Sequence, residues 1–212
     1  MKNILSQFNI YTFVILAIFP IITYSQNTSD VKIGTQIWTT KNLDVSTFRN
    51  GNPIKEAKTK EDWFKARNNK TAAYCYYDYD SNNGKVYGKL YNWYAVNDLR
   101  GLAPKGWHIP SDEEWEILTN FLGGESYAGT KLKSKTGWDY NGNGNDSYGF
   151  IALPGGSCNG NCNYFLESAA WWTSSEDMND FAWRRSVISN NTRFIRSSDV
   201  KESGLSVRCI KD

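Results

Sequence analysis

The stretch Gly106-Trp107-His108-Ile109-Pro110-Ser111-Asp112-Glu113-Glu114-Trp115 contains the clearest signal for a regular element in this chain. Ser111 is a good N-cap residue. Glu114 follows it by three positions, so each side chain can accept a hydrogen bond from the other residue's backbone N–H in a capping box. The acidic residues of the first turn are favoured there by the helix dipole. The sequence therefore predicts an α-helix that begins directly after Ser111.

The predicted helix carries an apolar stripe along one face. Residues at helical spacing form this stripe, and two more are expected to widen it toward the core: Trp115, Leu118 and Leu122, with Ile117 and Phe121. Gly123-Gly124 follows and supplies the left-handed conformation at which helices commonly end. We expect an amphipathic helix of about three turns that packs on the core through this stripe.

The first 26 residues have the composition of a secretory signal peptide. Lys2 precedes the apolar run 13–19, and the small and polar residues 23–26 suit cleavage. An uncleaved anchor is the alternative, but the apolar run 8–24 is short for a bilayer span and no charged stop-transfer cluster follows it. We expect a secreted, periplasmic or cell-envelope protein with a short linker at 27–30, a single domain at 31–212, and no membrane span after cleavage.

Charge and composition limit the classes of partner. The formal net charge is +2, and lysine and arginine form no cluster, which argues against nucleic acid or an anionic membrane surface. Aromatic residues make up 15% of the chain, with 9 Trp and 13 Tyr, more than a plain core needs. Because Gly is plentiful and long helical patterns are few, we expect a loop-rich α+β or mostly β domain with aromatic side chains on its surface.

The chain has four cysteines, Cys75, Cys158, Cys162 and Cys209. An even count in an exported protein favours disulfides over metal thiolates, and the single histidine argues against zinc. Three pairings are open. Cys158 and Cys162 share one Gly/Asn loop and are close enough for a local bridge. Cys75 and Cys209 would then join an early strand to the last one and contribute about 4 kcal/mol to stability.

Other segments predict short elements. Residues 31–38 alternate around Gly34 and read as a hairpin, residues 55–70 as a solvated helix or loop, and residues 88–97 as a first helix. In the last third, the strand 181–187 is expected to pair with 194–196 across a short turn. Two early helices followed by short strands indicate an α+β fold with non-local strand pairing.

Six ordered motifs resemble a known family of exported bacterial domains. They are Ile33-Gly34-Thr35-Gln36-Ile37-Trp38 with Asn42-Leu43, Tyr87-Gly88 to Val96, Gly106 to Pro110, Gly149-Phe150 to Gly156, Trp172-Thr173-Ser174-Ser175-Glu176, and Ser206-Val207-Arg208-Cys209. In this order they look like the Fibrobacter succinogenes major paralogous domain, and the resemblance covers residues 31–212.

That family is similar in layout to the formylglycine-generating sulfatase-modifying enzymes, which are variants of the C-type lectin fold. The resemblance therefore implies an α+β, C-type lectin-like domain. Two short helices would flank a twisted, mostly antiparallel sheet of short strands with long irregular loops. The termini would lie close together, which agrees with a bond between Cys75 and Cys209. The resemblance implies no molecular function, because that of the family is undefined.

The pair Cys158 and Cys162 has two interpretations. It directly follows Gly155-Gly156-Ser157, and formylglycine-generating enzymes carry two cysteines after a similar Gly-Gly-Ser, where they bind copper and drive oxidation. A redox pair or copper thiolate site is therefore one interpretation. The spacing here is one residue shorter, and the aromatic residue after Ser157 is missing. We favour a disulfide that closes the loop.

The Asn/Gly-rich loop after Trp138 is a candidate calcium site. Oxygen-bearing side chains recur there at a spacing that hard cations use, with Gly144 at the sixth position: Asp139, Asn141, Asn143, Asn145 and Asp146. The twelfth position holds Phe150 instead of the bidentate Glu of such loops. Ordinary turns explain the same residues, since Asn, Asp and Gly dominate turns.

Aromatic side chains supply the candidate ligand surface, because ring faces pack on the apolar faces of sugars. Strand alternation points about half of them inward, so Trp172 and Trp183 are expected in the core. The candidates for ligand contact are Trp138, Tyr140, Tyr164 and Trp171. We expect a structural role for His108, since no Gly-x-Ser-x-Gly elbow accompanies it.

We predict a non-catalytic, exported domain for binding or adhesion, with a glycan or cell-surface polymer as its ligand. One alternative is a copper-dependent thiol oxidase that uses Cys158 and Cys162. Another is a structural component of the cell envelope. For the predicted binding domain calcium is a possible cofactor, and no residue is assigned a catalytic role.

Overall fold

A computed structural model describes residues 29–212, so the predicted signal peptide lies outside the described residues. Within this range the helices are α1 (Lys60–Asn68), α2 (Ser81–Tyr87), α3 (Trp93–Val96), α4 (Asp112–Phe121) and α5 (Glu125–Leu132). The strands are β1 (Asp30–Ile33), β2 (Gln36–Thr39), β3 (Lys55–Glu56), β4 (Ala73–Cys75), β5 (Leu90–Tyr91), β6 (Trp107–His108), β7 (Ser157–Cys158), β8 (Cys162–Asn163), β9 (Ser168–Met178), β10 (Phe181–Ile188), β11 (Ile195–Val200) and β12 (Ile210–Lys211). None of the described helices is long and apolar enough to cross a membrane.

The strands form several small sheets. The first has the order β1-β2-β12-β6, so both ends of the described chain belong to one sheet. The second has the order β11-β10-β9 and contains the longest strands, and the third has the order β3-β4-β5. Strands β7 and β8 form a two-stranded hairpin. All these pairings are antiparallel except that of β3 with β4.

The α+β class is thereby confirmed, but the expected layout of two helices around one sheet has too few helices and too few sheets. Five short helices and four sheets occur in the described range. The predicted helix 88–97 is divided, because Asn92 interrupts it. The side-chain oxygen of Asn92 accepts from the backbone N–H of Ala95 at 3.1 Å and caps α3. The same oxygen accepts from Ala73 at 3.0 Å, which fastens the end of β5 to β4.

Helix α4 has the predicted beginning and end. Ser111 Oγ accepts from the Glu114 N–H at 3.2 Å, and Glu114 Oε2 accepts from the Ser111 N–H at 2.8 Å. Gly123 follows the last turn with φ +93°. Trp115, Leu118 and Leu122 are fully buried.

The expectation that two further residues widen the buried stripe of α4 is wrong. Ile117 is 45% and Phe121 is 49% exposed. A helix turns about 100° per residue, which carries both side chains well away from the direction of Trp115. Phe121 instead packs edge-on against Tyr148, with ring centroids 5.5 Å apart.

Tryptophan dominates the core. One buried cluster surrounds Trp38, Trp115 and Trp171, where α4 packs against β2 and β9. A second surrounds Trp93 and Trp172 between the second and third sheets. A third, smaller cluster lies beneath α1 and the β7–β8 hairpin. Edge-to-face and tilted ring contacts connect the first cluster, as is usual for packed aromatic side chains.

The cysteines follow one of the two predicted pairings. Cys158 and Cys162 form a disulfide across the β7–β8 hairpin, as predicted. The predicted bond between Cys75 and Cys209 is wrong, since both are free and buried. Cys75 points into the small third cluster and Cys209 into the second, so different parts of the core surround the two thiols.

Candidate functional site

A groove of about 390 Å³ lies between one face of the second sheet and the loop that precedes β9. We call it the Tyr164 groove. Its polar lining consists of Ser157, Tyr164, Glu167, Ser168, Arg184, Ser186 and Asp199. The volume falls within the range of small-molecule sites, about 300–1,000 Å³.

Strand alternation places the charged floor of the groove. Arg184 and Ser186 are two residues apart on β10 and therefore project from the same face. Ser197 lies directly opposite Arg184 on β11, so it shares that face as well. Arg184 Nε lies 3.2 Å from Asp199 Oδ2, and both side chains are partly exposed. Asp199 is held in place because its other oxygen accepts from Ser203 Oγ at 2.9 Å.

Two buried polar atoms on this face of the second sheet have no hydrogen-bond partner in the described part of the chain. They are Arg184 Nε, which approaches Asp199 without hydrogen-bond geometry, and Ser197 Oγ. Buried polar groups in native proteins are nearly always paired, with protein, water or ligand. Both atoms are shielded from solvent, and Ser197 is not among the residues that line the groove, so contacts with a ligand would come from the other polar atoms of the lining.

The wall of the groove is a short loop that turns Tyr164 outward. Phe165 stacks on Tyr77 with ring centroids 4.4 Å apart and meets Tyr87 edge-on at 5.0 Å. The packed ring of Phe165 anchors the loop. The preceding residue, Tyr164, remains 63% exposed. Tyr164 and Leu166 adopt φ values of +61° and +60°, which residues other than Gly seldom do and which cluster at ligand sites.

The four predicted ligand aromatics divide into two groups. The backbone N–H of Asp139 donates to the Leu166 carbonyl at 2.9 Å, so the loop that carries Tyr140 adjoins the loop of Tyr164. Tyr140 is 70% exposed. Tyr140 and Tyr164 thus lie on neighbouring loops, and both rings are exposed to solvent.

The placement of Trp138 and Trp171 at the surface is wrong, because both are buried. Trp138 Nε1 donates to the Ala152 carbonyl at 3.1 Å, and Trp171 Nε1 donates to Asn42 Oδ1 at 2.9 Å. An indole whose N–H is paired inside the protein can be buried at little cost. Both rings therefore belong to the core.

The family described as Fibrobacter succinogenes major domain matches residues 31–211. The chain belongs to this family. The matched range begins in β1 and ends in β12, so the Fibrobacter succinogenes major domain contains all four sheets and the Tyr164 groove. No curated protein and no solved structure matches the chain. Membership names a domain whose molecular function is undefined.

The candidate calcium loop of this Fibrobacter succinogenes major domain makes the contacts of a turn. Asn143 Oδ1 accepts from the Trp138 N–H at 3.1 Å, and Asp146 Oδ1 accepts from the Ile151 N–H at 2.9 Å. Asn145 Oδ1 accepts from Ser147 Oγ at 2.6 Å. Among the described residues no three His, Cys, Asp or Glu side chains converge as metal ligands would. Calcium at this loop stays a prediction.

His108 links α4 to the last residue of the chain. Its Nε2 lies 2.9 Å from Glu114 Oε1, and its Nδ1 lies 2.8 Å from Asp212 Oδ1. Burial by itself lowers the pKa of His108, but the hydrogen bonds to the two carboxylates outweigh burial and raise it above 6.5. These contacts are those of a structural residue that fixes the beginning of α4.

Sequence reasoning missed Arg184 and Asp199, which line the groove. The available signal was strand alternation, which places Arg184 and Ser186 on the same face of β10. Ala170 of β9 lies opposite Ser186 on that face. A charged residue at such a position indicates a polar floor. Its neighbours on β11 could be identified only from the register of the β10–β11 pair.

Proposed function

We propose that this Fibrobacter succinogenes major domain binds a neutral glycan in the Tyr164 groove and serves as an exported binding or adhesion domain. The observation that carries the proposal is the groove itself, in which charged and hydroxyl side chains lie beside the 63% exposed ring of Tyr164. A sugar ring suits this arrangement, because it offers hydroxyl groups at its edge and apolar C–H groups on its face.

The polar lining of the groove offers both hydrogen-bond acceptors and hydrogen-bond donors to the hydroxyl groups of a sugar. Glu167 and Asp199 would accept from sugar hydroxyls, while Arg184 and the serines of β9 and β10 would donate to them. Two carboxylates against one guanidinium make the groove slightly negative, which favours a neutral sugar over an acidic one. Tyr164 and Tyr140, on adjoining loops, would provide the stacking surface.

The same proposal includes a C-type lectin-like fold for the domain and its export from the cytoplasm. A C-type lectin-like fold is supported by two features, the ends of the described chain in one sheet and the long β9–β10 hairpin. Export is supported by the composition of residues 1–26. Both agree with a domain that meets glycans outside the cytoplasm.

A glycan array tests the proposal, with the full chain applied both in the presence and in the absence of calcium. We expect binding to neutral glycans, measured afterwards by calorimetry. Tyr164→Ala removes the stacking face and should weaken binding about tenfold. Arg184→Gln should weaken it similarly, because it removes a charged donor.

Tyr127→Ala is the matched control, since Tyr127 is 66% exposed and lies on α5, outside the groove lining. It should leave the affinity unchanged. An array without a bound glycan under either condition would contradict the proposal, as would equal losses from Tyr127→Ala and Tyr164→Ala. A structural envelope component would give that negative array.

The oxidase alternative receives no support from the cysteines. It needs free thiolates at Cys158 and Cys162, and these two residues form a disulfide. Cys158 is also buried beneath Tyr79, whose hydroxyl oxygen lies 3.6 Å from its sulfur atom. We infer that the pair closes the loop beside the Tyr164 groove.

A further inference from the structure

We propose that the domain has a second binding site, which takes the carboxylate or sulfate group of an acidic oligosaccharide. The site is a cleft of about 560 Å³ between β3, the turn after α1 and the segment 93–100. It rests on different residues from the Tyr164 groove and does not depend on the function proposed for that groove.

Cations dominate the lining of this cleft. Lys55, Lys70 and Arg100 line it, and Asp98 is the one carboxylate among the described lining residues. Lys55 is exposed and makes no ion pair within the described range. Lys70 reaches Asp180 at 3.2 Å, but both side chains are 63% exposed, so the pair is weak and can exchange partners. Asp98 and Asp180 pair with Arg100 and Lys70, so Lys55 is the cation of the described lining that remains without a carboxylate partner, and it would attract an anion.

Arg100 is held in a fixed orientation within the cleft. Its guanidinium stacks over the ring of Phe48 at 4.0 Å from the centroid. Its Nε and Nη2 donate to the two oxygens of Asp98 at 2.8 and 2.7 Å. A guanidinium has five N–H donors, so about three remain for a ligand. A planar fork that is already oriented binds an oxyanion with little further loss of conformational entropy.

Neutral groups beside the cations suit the rest of a sugar. The side-chain amide of Asn97 is exposed and makes no hydrogen bond within the described residues, so it is free to bind a hydroxyl group. Tyr94 also lines the cleft, and Glu202 holds its hydroxyl at 2.9 Å, which fixes the ring. The Tyr164 groove lacks this excess of cations, so the two sites would select acidic and neutral sugars respectively.

Calorimetry on the full chain tests the site with two probes, trigalacturonate for the carboxylate and a sulfated heparin disaccharide for the sulfate. We expect at least one probe to bind, with an affinity that falls as NaCl is raised. Arg100→Gln and Lys55→Gln should each weaken binding about tenfold, because each removes a charge-assisted contact. Lys55→Gln is informative even if Arg100→Gln disturbs folding, since the Lys55 side chain has no partner to lose.

Lys105→Gln is the control, because Lys105 is an exposed lysine outside the cleft. It should leave binding unchanged, and so should Tyr164→Ala, which separates this site from the proposed neutral-glycan site. The probe that binds identifies the group recognised. Failure of both probes, binding indifferent to salt, or an affinity unaltered by Lys55→Gln and Arg100→Gln would overturn the proposal.

Discussion

The ammonium group of Lys133 donates to the carbonyl oxygen of Ser189 at 2.9 Å. It donates also to the carbonyls of Ile188 and Asn191, at 3.1 and 2.9 Å. Lys133 is 3% exposed, and no carboxylate pairs with it in the described chain. The turn after β10 is therefore fastened to the end of α5 by one buried cation that satisfies three backbone oxygens.

Replacing Lys133 by methionine should lower the free energy of unfolding by about 3 kcal/mol, because three carbonyls lose their donor while the side-chain volume is nearly kept. Urea denaturation measures the change. Lys135→Met is the control, since Lys135 is exposed and should alter stability by less than about 0.5 kcal/mol. Similar losses in the two variants would show that the three hydrogen bonds contribute little.

His108 should make stability depend on pH. Its pKa is raised in the folded state above the value of 6.5, so its protonated form stabilises the fold. The contribution should be complete below about pH 6.5 and should disappear as pH rises through the folded pKa. It should amount to at most about 1 kcal/mol, since the ion pairs are partly exposed.

Because His108 is the sole histidine of the chain, its imidazole NMR signals can be followed without ambiguity. The titration should give a pKa above 6.5 in the wild type. The stability difference between the wild type and His108→Gln should be largest in acid and vanish in mild alkali. A midpoint below 6.5 would mean that burial outweighs the two carboxylates.

Thiol counting should distinguish the cysteines. The unreduced protein should expose two reactive thiols after denaturation, from Cys75 and Cys209, and few before it, because both are buried. Burial also raises the pKa of the Cys209 thiol to about 12, which suppresses its reactivity in the native state. A count of four thiols would exclude the Cys158–Cys162 bond. A count of zero would indicate that Cys75 and Cys209 are bonded as well.

Opening the Cys158–Cys162 disulfide by the double substitution to serine should cost about 2 kcal/mol, because the loop it closes is short. Thermal unfolding of the two proteins at one pH measures the difference. Reduction of the wild type should lower its melting temperature in the same direction. An unchanged melting temperature after verified reduction would mean that the hairpin alone holds the loop.

Arg208→Lys should destabilise the fold by about 3 kcal/mol although charge is kept, because an ammonium cannot reproduce the fork of a guanidinium. Arg208 is buried and donates to the carbonyls of Thr39, Phe150 and Ile151 and to Asn42 Oδ1. Arg193→Lys is the control, since Arg193 is exposed and pairs with an exposed Glu125. Equal effects in denaturation would show that charge alone matters at Arg208.

The elements that were predicted correctly depend on interactions between residues that are close together in the sequence. Helix α4 is bounded by Ser111 and Gly123, and its cap forms within four residues. The β10–β11 hairpin likewise depends on a turn and on alternation. Helix α2 was missed because it contains Gly84. That residue is needed where the ring of Tyr76 packs on the helix, a contact between residues in different elements.

The candidate site was predictable in part for the same reason. Tyr140 and Tyr164 lie in loops rich in turn residues, and their exposure could be expected from the sequence. Trp138 lies in such a loop too, yet its ring turns inward to donate to Ala152. The pairing of Arg184 with Asp199 depends on strand register, which a single sequence does not specify.

Strand β12 lies between β2 and β6, both of which come much earlier in the chain. Closing the first sheet therefore requires contacts between residues far apart in the sequence. Such contacts form late in folding, because the entropy lost in closing a long loop must be offset first. We expect the insertion of β12 to limit the rate at which the domain folds.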